Sequence, residues 1–270
     1  MKIIFPVVQR HSRHSGECPN AVGSSARQPD GISRYHPYGF RRTLVIHNVI
    51  PPPMKEQRVL QAALSRPRWA TYKRIADRHS LDATSLYVWN MQMCGALLSP
   101  LHICEIVIRN AVAAALAHAY GPRWPWHPAL LQRMPADGAL SALQDLHKRL
   151  NQQMNTPEII ASLRFAFWQQ LFTRRFEGPL WMRSLKIALP NAPQNTVDTV
   201  RTTIHADLDR IRHLRNRIAH HEPILERDIG ADLAAIGRLI HARCPHTLAW
   251  LQRHERATTV LAASPLVGKR

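Results

Sequence analysis

The fold turns on residues 195–222, "NTVDTVRTTIHADLDRIRHLRNRIAHHE". At about 100° per residue, Val197, Val200, Ile204, Leu208, Ile211, Leu214 and Ile218 share one apolar arc, as one long amphipathic helix requires. Asn195 is placed to cap it, Asp198 lies in its first turn, and Glu222 precedes Pro223, which disfavours further helix. The wheel sets Arg215 near the middle of the apolar arc, where a cation is costly unless it is paired or faces a polar cavity. Arg201 and Arg210 project elsewhere and read as solvated charge. His220 and His221 fall in the final turn.

Working outward, the segment "LSPLHICEIVIRNAVAAALAHAYG" (98–121) repeats the anomaly. Leu98, Leu101, Ile108, Val112 and Leu116 form its apolar arc. Glu105 and Arg109 lie inside that arc four residues apart, close enough to pair, and Asn110 follows Arg109 as Asn216 follows Arg215. One reading is a buried network of Glu105 with Arg109 and Arg215 that fixes helix register. The other is a polar pocket between the two helices. The two are compatible, because a carboxylate that orients an arginine supports a site, and the pocket is favoured.

From Met54 onward the chain reads as helical almost throughout, with strand signals nearly absent. Helices are expected at roughly 55–64, 67–79, 83–97, 99–119, 137–154, 157–174, 180–188, 195–222 and 228–243. Thr156 is the expected N-cap before Pro157, and Gly121 with Pro122 is a stop. Residues 1–53 are rich in Gly, Ser, Pro and Arg without helical period. They are expected to form a disordered basic arm, unless Met54 is the true start. Residues 54–250 are the expected helical domain and 251–270 a C-terminal tail.

The chain has 270 residues, 36 Lys+Arg against 18 Asp+Glu, and a net charge of +18. That excess favours a polyanionic partner through counterion release, although a high-GC genome also writes arginine often. Four cysteines occur, none at CxxC spacing, so no zinc ribbon or disulfide framework is expected. His241, Cys244 and His246 of "HARCPH" can be drawn as a metal site, but with 16 histidines such clusters arise by accident. No metal or cofactor is expected. No apolar run reaches the ~18 residues of a spanning helix, and a cytoplasmic protein without membrane contact is expected. Phe165, Phe167, Trp168, Leu171 and Phe172 read as core, Trp124 and Trp126 as loop packing, and Cys94 and Cys104 as inert core thiols.

An arginine fork grips phosphate oxygens and a histidine moves protons near neutral pH. Together they suffice for metal-free RNA cleavage. The base takes the ribose 2′-OH proton, the oxygen attacks the adjacent phosphate, and the cation stabilises the growing charge. Asn216 and His220 are four apart, so the amide can orient the ring. Arg215 and His220 stand ~140° apart on an ideal helix. Either the last turn unwinds, or two copies of the helix make a composite cleft in a homodimer.

The residues also resemble a known family. "LRNRIAHHEPI" is similar to the R-x(4–6)-H motif of the HEPN superfamily. "LSRPRWATY", "SLYVWNMQM", "LHICEIVIRNAV", "AYGPRW" and "LRFAFWQQLF" occur in the order of its Abi-like (abortive infection, AbiD/AbiF-type) branch. The resemblance implies an all-α HEPN-type bundle with additional helices, and a homodimer with active sites at its interface. It implies metal-independent endoribonuclease activity in phage defence or as a toxin, with an antitoxin or defence-system partner among the possibilities. Carried onto this chain, the motif residues are Arg215, Asn216 and His220. His221 also fits the spacing, and Glu105, Arg109 and Asn110 line or brace the same pocket. Some members of the superfamily only bind RNA or partners, which is the alternative function.

Overall fold

The computed structural model describes residues 54–135 and 141–266; the N-terminal arm expected over residues 1–53 lies outside the described residues. The fold is all-α, with no strand among the described residues. In chain order the helices are α1 (Met54–Leu64), α2 (Arg66–His79), α3 (Ala83–Tyr120), α4 (Pro128–Arg133), α5 (Ala142–Leu150), α6 (Thr156–Ser162), α7 (Phe165–Gln170), α8 (Met182–Ala188), α9 (Val197–Ala219), α10 (Ile229–Arg243), α11 (Pro245–His254) and α12 (Ala257–Ala262). A 3₁₀ turn (Arg174–Phe176) and a π-helical turn (Glu177–Trp181) lead into α8.

The central element is α3, against which α2, α8, α10 and α12 pack. Two helices were expected across Pro100, and one of 38 residues is found. Pro100 is buried beside Leu97 and Leu101, so packing on either side outweighs the missing backbone bond. Asp82 caps α3 by accepting from the Ser85 N–H at 2.7 Å, and Gly121 ends it at φ 86°, in the region glycine favours. α3 is also long and apolar enough to cross a membrane by length and composition, although it holds no unbroken apolar run of about 18 residues.

The expected helix 157–174 is broken. Asn155, not Thr156, caps α6, in a capping box with Glu158. The chain is then extended at Leu163 and Arg164, where Asp145 accepts the Arg164 N–H at 3.1 Å. Thr196, not Asn195, caps α9. The residues expected as a C-terminal tail, 251–270, are largely helical over their described part. α11 runs to His254, and α12 docks on α3, where the Trp89 indole donates to the Val260 carbonyl at 2.9 Å.

The core holds Trp124, Trp168, Trp181, Phe167, Phe172 and Phe176, all essentially inaccessible. Trp181 stacks on Phe172 with centroids 4.3 Å apart and donates to the Leu171 carbonyl at 2.7 Å. Cys104 is fully buried, and burial pushes its thiol far up; burial pushes Cys94 up to about 11. Both stay protonated near neutral pH and act as core packing.

Candidate active site at the end of α9

The C-terminus of α9 positions the site. His220 is the cap residue, and His221 takes a left-handed conformation, φ 56°. The His221 N–H reaches the Ile218 carbonyl at 3.1 Å, and the Glu222 N–H reaches the Arg217 carbonyl at 2.8 Å. These two bonds make a Schellman motif, with a histidine where glycine is usual. Three side chains hold the turn. Arg68 of α2 donates to the His221 carbonyl. Asn90 of α3, only 6% exposed, accepts the Ile224 N–H at 2.8 Å. Arg217 donates to the Pro223 carbonyl at 2.9 Å. Sequence reasoning missed Arg68 and Asn90; the available signal was a polar Asn90 between the buried residues Trp89 and Met93 on a core helix.

A left-handed histidine carries a backbone cost that glycine does not. His221→Gly is expected to raise stability by about 0.5–1 kcal/mol, read as a higher urea midpoint. A lower midpoint would show that the imidazole itself holds the turn.

One turn before the histidines, α9 faces α3 across a cavity of about 360 Å³. Its charged lining is Glu105, Arg109, Arg164, Arg212 and Arg215, with Ser162 and Asn216 as neutral polar neighbours. Glu105 lies 3.2 Å from Arg215 Nε and 3.7 Å from Arg109, so the three groups expected to pair do so. Arg109 Nε is buried without a hydrogen-bond partner among the described residues. Arg212 is braced on α7, its Nε donating to Gln169 at 2.9 Å and its Nη2 to Asp209 at 2.8 Å. Burial raises the Asp209 carboxyl, but hydrogen bonds from Arg212 and Gln169 outweigh it and hold the group below its ordinary value.

Several site expectations need correction. Arg215 does not sit in the core; its side chain is 47% exposed. It lies on the flank of the apolar arc, which tertiary packing covers near the middle of α9 and leaves open toward the end. Arg201 is the buried arginine of this helix, 7% exposed. It donates to the Phe172 carbonyl at 2.7 Å and pairs with Glu177 at 3.3 Å and with Asp198. Arg210 pairs at 3.0 Å with Asp232, which is fully buried. Neither is an ordinary solvated charge.

The described structure brings Glu105, Arg109, Arg215 and Asn216 to one cavity, and His220 and His221 do not line it. Asn110 faces a second, more open groove, with Trp126 and Asn155. Asn216 and His220 are joined by their backbones at 2.9 Å, and no side-chain bond between them is found. α9 stays helical through Ala219, so unwinding begins only at the histidines and does not bring Arg215 onto their side. At "HARCPH", Cys244 precedes α11, and no group of three metal-ligating side chains converges among the described residues.

Comparison with protein-family models, with curated proteins and with solved structures finds no match.

Proposed function

We propose that this chain is a metal-independent endoribonuclease of the HEPN type, acting in phage defence or as a toxin. The observation that carries the reading is the state of Arg215. Its Nε is taken by Glu105, while its two Nη atoms have no protein partner among the described residues. The carboxylate aims the guanidinium and leaves its fork for two phosphate oxygens. The pair is half open to solvent and contributes little to stability, about 1 kcal/mol or less. Its value is direction.

Arg109 and Arg212 add positive charge to the same cavity, and Asn216 adds an amide. His220, exposed at the helix end, is the proton-transfer group, and His221 shapes the turn. A ribose 2′-OH loses its proton to His220, its oxygen bonds to the phosphorus, the bond from phosphorus to the 5′-oxygen of the next nucleotide breaks, and that oxygen takes a proton from solvent. The products are a 2′,3′-cyclic phosphate and a 5′-hydroxyl. Arg215 stabilises the charge that develops on the phosphoryl oxygens.

A second reading, RNA or partner binding without chemistry, is favoured by one observation. The histidines do not reach the arginine cavity within one chain. The test is incubation of purified protein with single-stranded RNA in EDTA. The proposal expects cleavage with cyclic-phosphate ends. Intact RNA that is nevertheless bound supports the second reading, and cleavage that EDTA abolishes rejects the metal-free route.

A further inference from the structure

The groove that Asn110 faces has a volume of about 890 Å³. One wall is α3, where Asn110, Ala113, Ala114 and Ala117 share a face and the alanines leave the floor low. The 3₁₀ turn Trp124–Trp126 and the loop into α6 supply the other walls. Trp124 is buried and anchors the turn. Trp126 stays partly exposed, and the exposed Arg123 lays its guanidinium carbon 5.4 Å from the ring centroid. Thr156 donates to the Pro122 carbonyl at 3.2 Å, which ties the two rims together. Asn110 and Gln153 are exposed, and their side chains carry no hydrogen bond among the described residues. No carboxylate lines this groove.

The groove adjoins the arginine cavity on two walls. Arg109 and Ala161 line the cavity, while Asn110 and Ile160 line the groove. On α3, Ala113 stands about 40° around the helix and about 6 Å along it from Arg109. A ligand that spans both therefore places an anionic group beside a flat apolar one whose edge carries donors and acceptors. That combination is a nucleotide.

We propose that this groove receives an unpaired nucleobase of single-stranded RNA whose neighbouring phosphate lies in the arginine cavity. The base stacks on the Trp126–Arg123 pair, and its edge meets the amides of Asn110 and Gln153. An amide both donates and accepts, so it suits the mixed edge of a base. A duplex is excluded, because its bases are paired and stacked on one another. The proposal deepens the ribonuclease reading and rests on it for the phosphate; the stacking itself needs no cleavage.

The test is fluorescence anisotropy with a 2′-O-methyl RNA strand of mixed sequence, which has no free 2′-OH and so stays intact. Wild type is expected to bind it about 10-fold more tightly than an abasic strand of equal length. Trp126→Leu should lose about 10-fold on the base-bearing strand and little on the abasic one. Arg123→Lys keeps the charge but loses the plane, and Asn110→Ala loses the amide. Both change exposed residues and should fold, and both should weaken the base-bearing strand alone. Equal affinity for the abasic strand, or for the duplex formed with the complement, overturns the proposal. So does full affinity in both Arg123→Lys and Asn110→Ala. In cleavage assays the same two variants should raise KM several-fold and leave kcat nearly unchanged, because the base is held alike before and during reaction. Cleavage with KM unchanged in both rejects the groove and keeps the ribonuclease. Base-dependent binding that both variants lose, with wild type that cleaves no RNA, keeps the groove and rejects the ribonuclease.

Discussion

Arg215→Ala and His220→Ala are each expected to slow RNA cleavage by about 10²–10⁴-fold, while the urea midpoint moves little. The magnitude is that of losing a positioned proton-transfer group or a fixed cation aimed at developing charge. Stability is spared because both residues are exposed, and surface changes of this kind cost about 0.5 kcal/mol or less. Arg215→Lys is a sharper probe. It keeps the charge but loses the planar fork, so it should recover only part of the rate. Glu105→Gln should fall between, since it releases the guanidinium from its aim without removing it. A rate that survives both alanine variants would move the chemistry elsewhere on the molecule. A collapse of the urea midpoint would mean that the residues are structural.

Trp181→Ala is expected to cost about 3–5 kcal/mol, the largest stability effect of any single change considered. The indole is fully buried, stacks on Phe172 and satisfies the Leu171 carbonyl. Alanine removes the ring, opens a cavity and leaves that carbonyl without its donor, and these losses add. Against a typical total of about 5–15 kcal/mol, such a loss leaves a marginal protein. Trp181→Phe keeps most of the stack and should cost clearly less. Trp250→Ala, at a 47% exposed site on α11, should change little. Urea unfolding of the three variants measures all of this, and equal costs at positions 181 and 250 would contradict the described core.

The long helix at 195–222 was legible because its apolar spacing, its acidic first turn and Pro223 agree. What stayed hidden depends on partners distant in sequence. Arg201 and Arg215 stand only about 40° apart on the wheel. One is buried and the other open because Glu177 and the Phe172 carbonyl meet the first, while the flank near the second is uncovered. The break at Leu163 and Arg164 follows from Asp145 capturing the Arg164 N–H, which no local pattern encodes. The pairing of Glu105 with Arg109 and Arg215 was legible because charges within or beside apolar stripes must find each other. The left-handed conformation of His221 was not, since histidine gives no sign of it.

We propose that the working site joins Arg215 of one chain with His220 of a second, since the two do not line one cavity within a single chain. The most direct measurement mixes Arg215→Ala with His220→Ala protein under conditions of subunit exchange and follows RNA cleavage in EDTA. In a composite site, each mixed dimer carries one intact pair, Arg215 from one chain and His220 from the other. Half the dimers are mixed and each has one working site of two, so roughly a quarter of wild-type activity should return. Activity that stays at the level of the separate variants, when subunit exchange is shown by mass, would contradict the account.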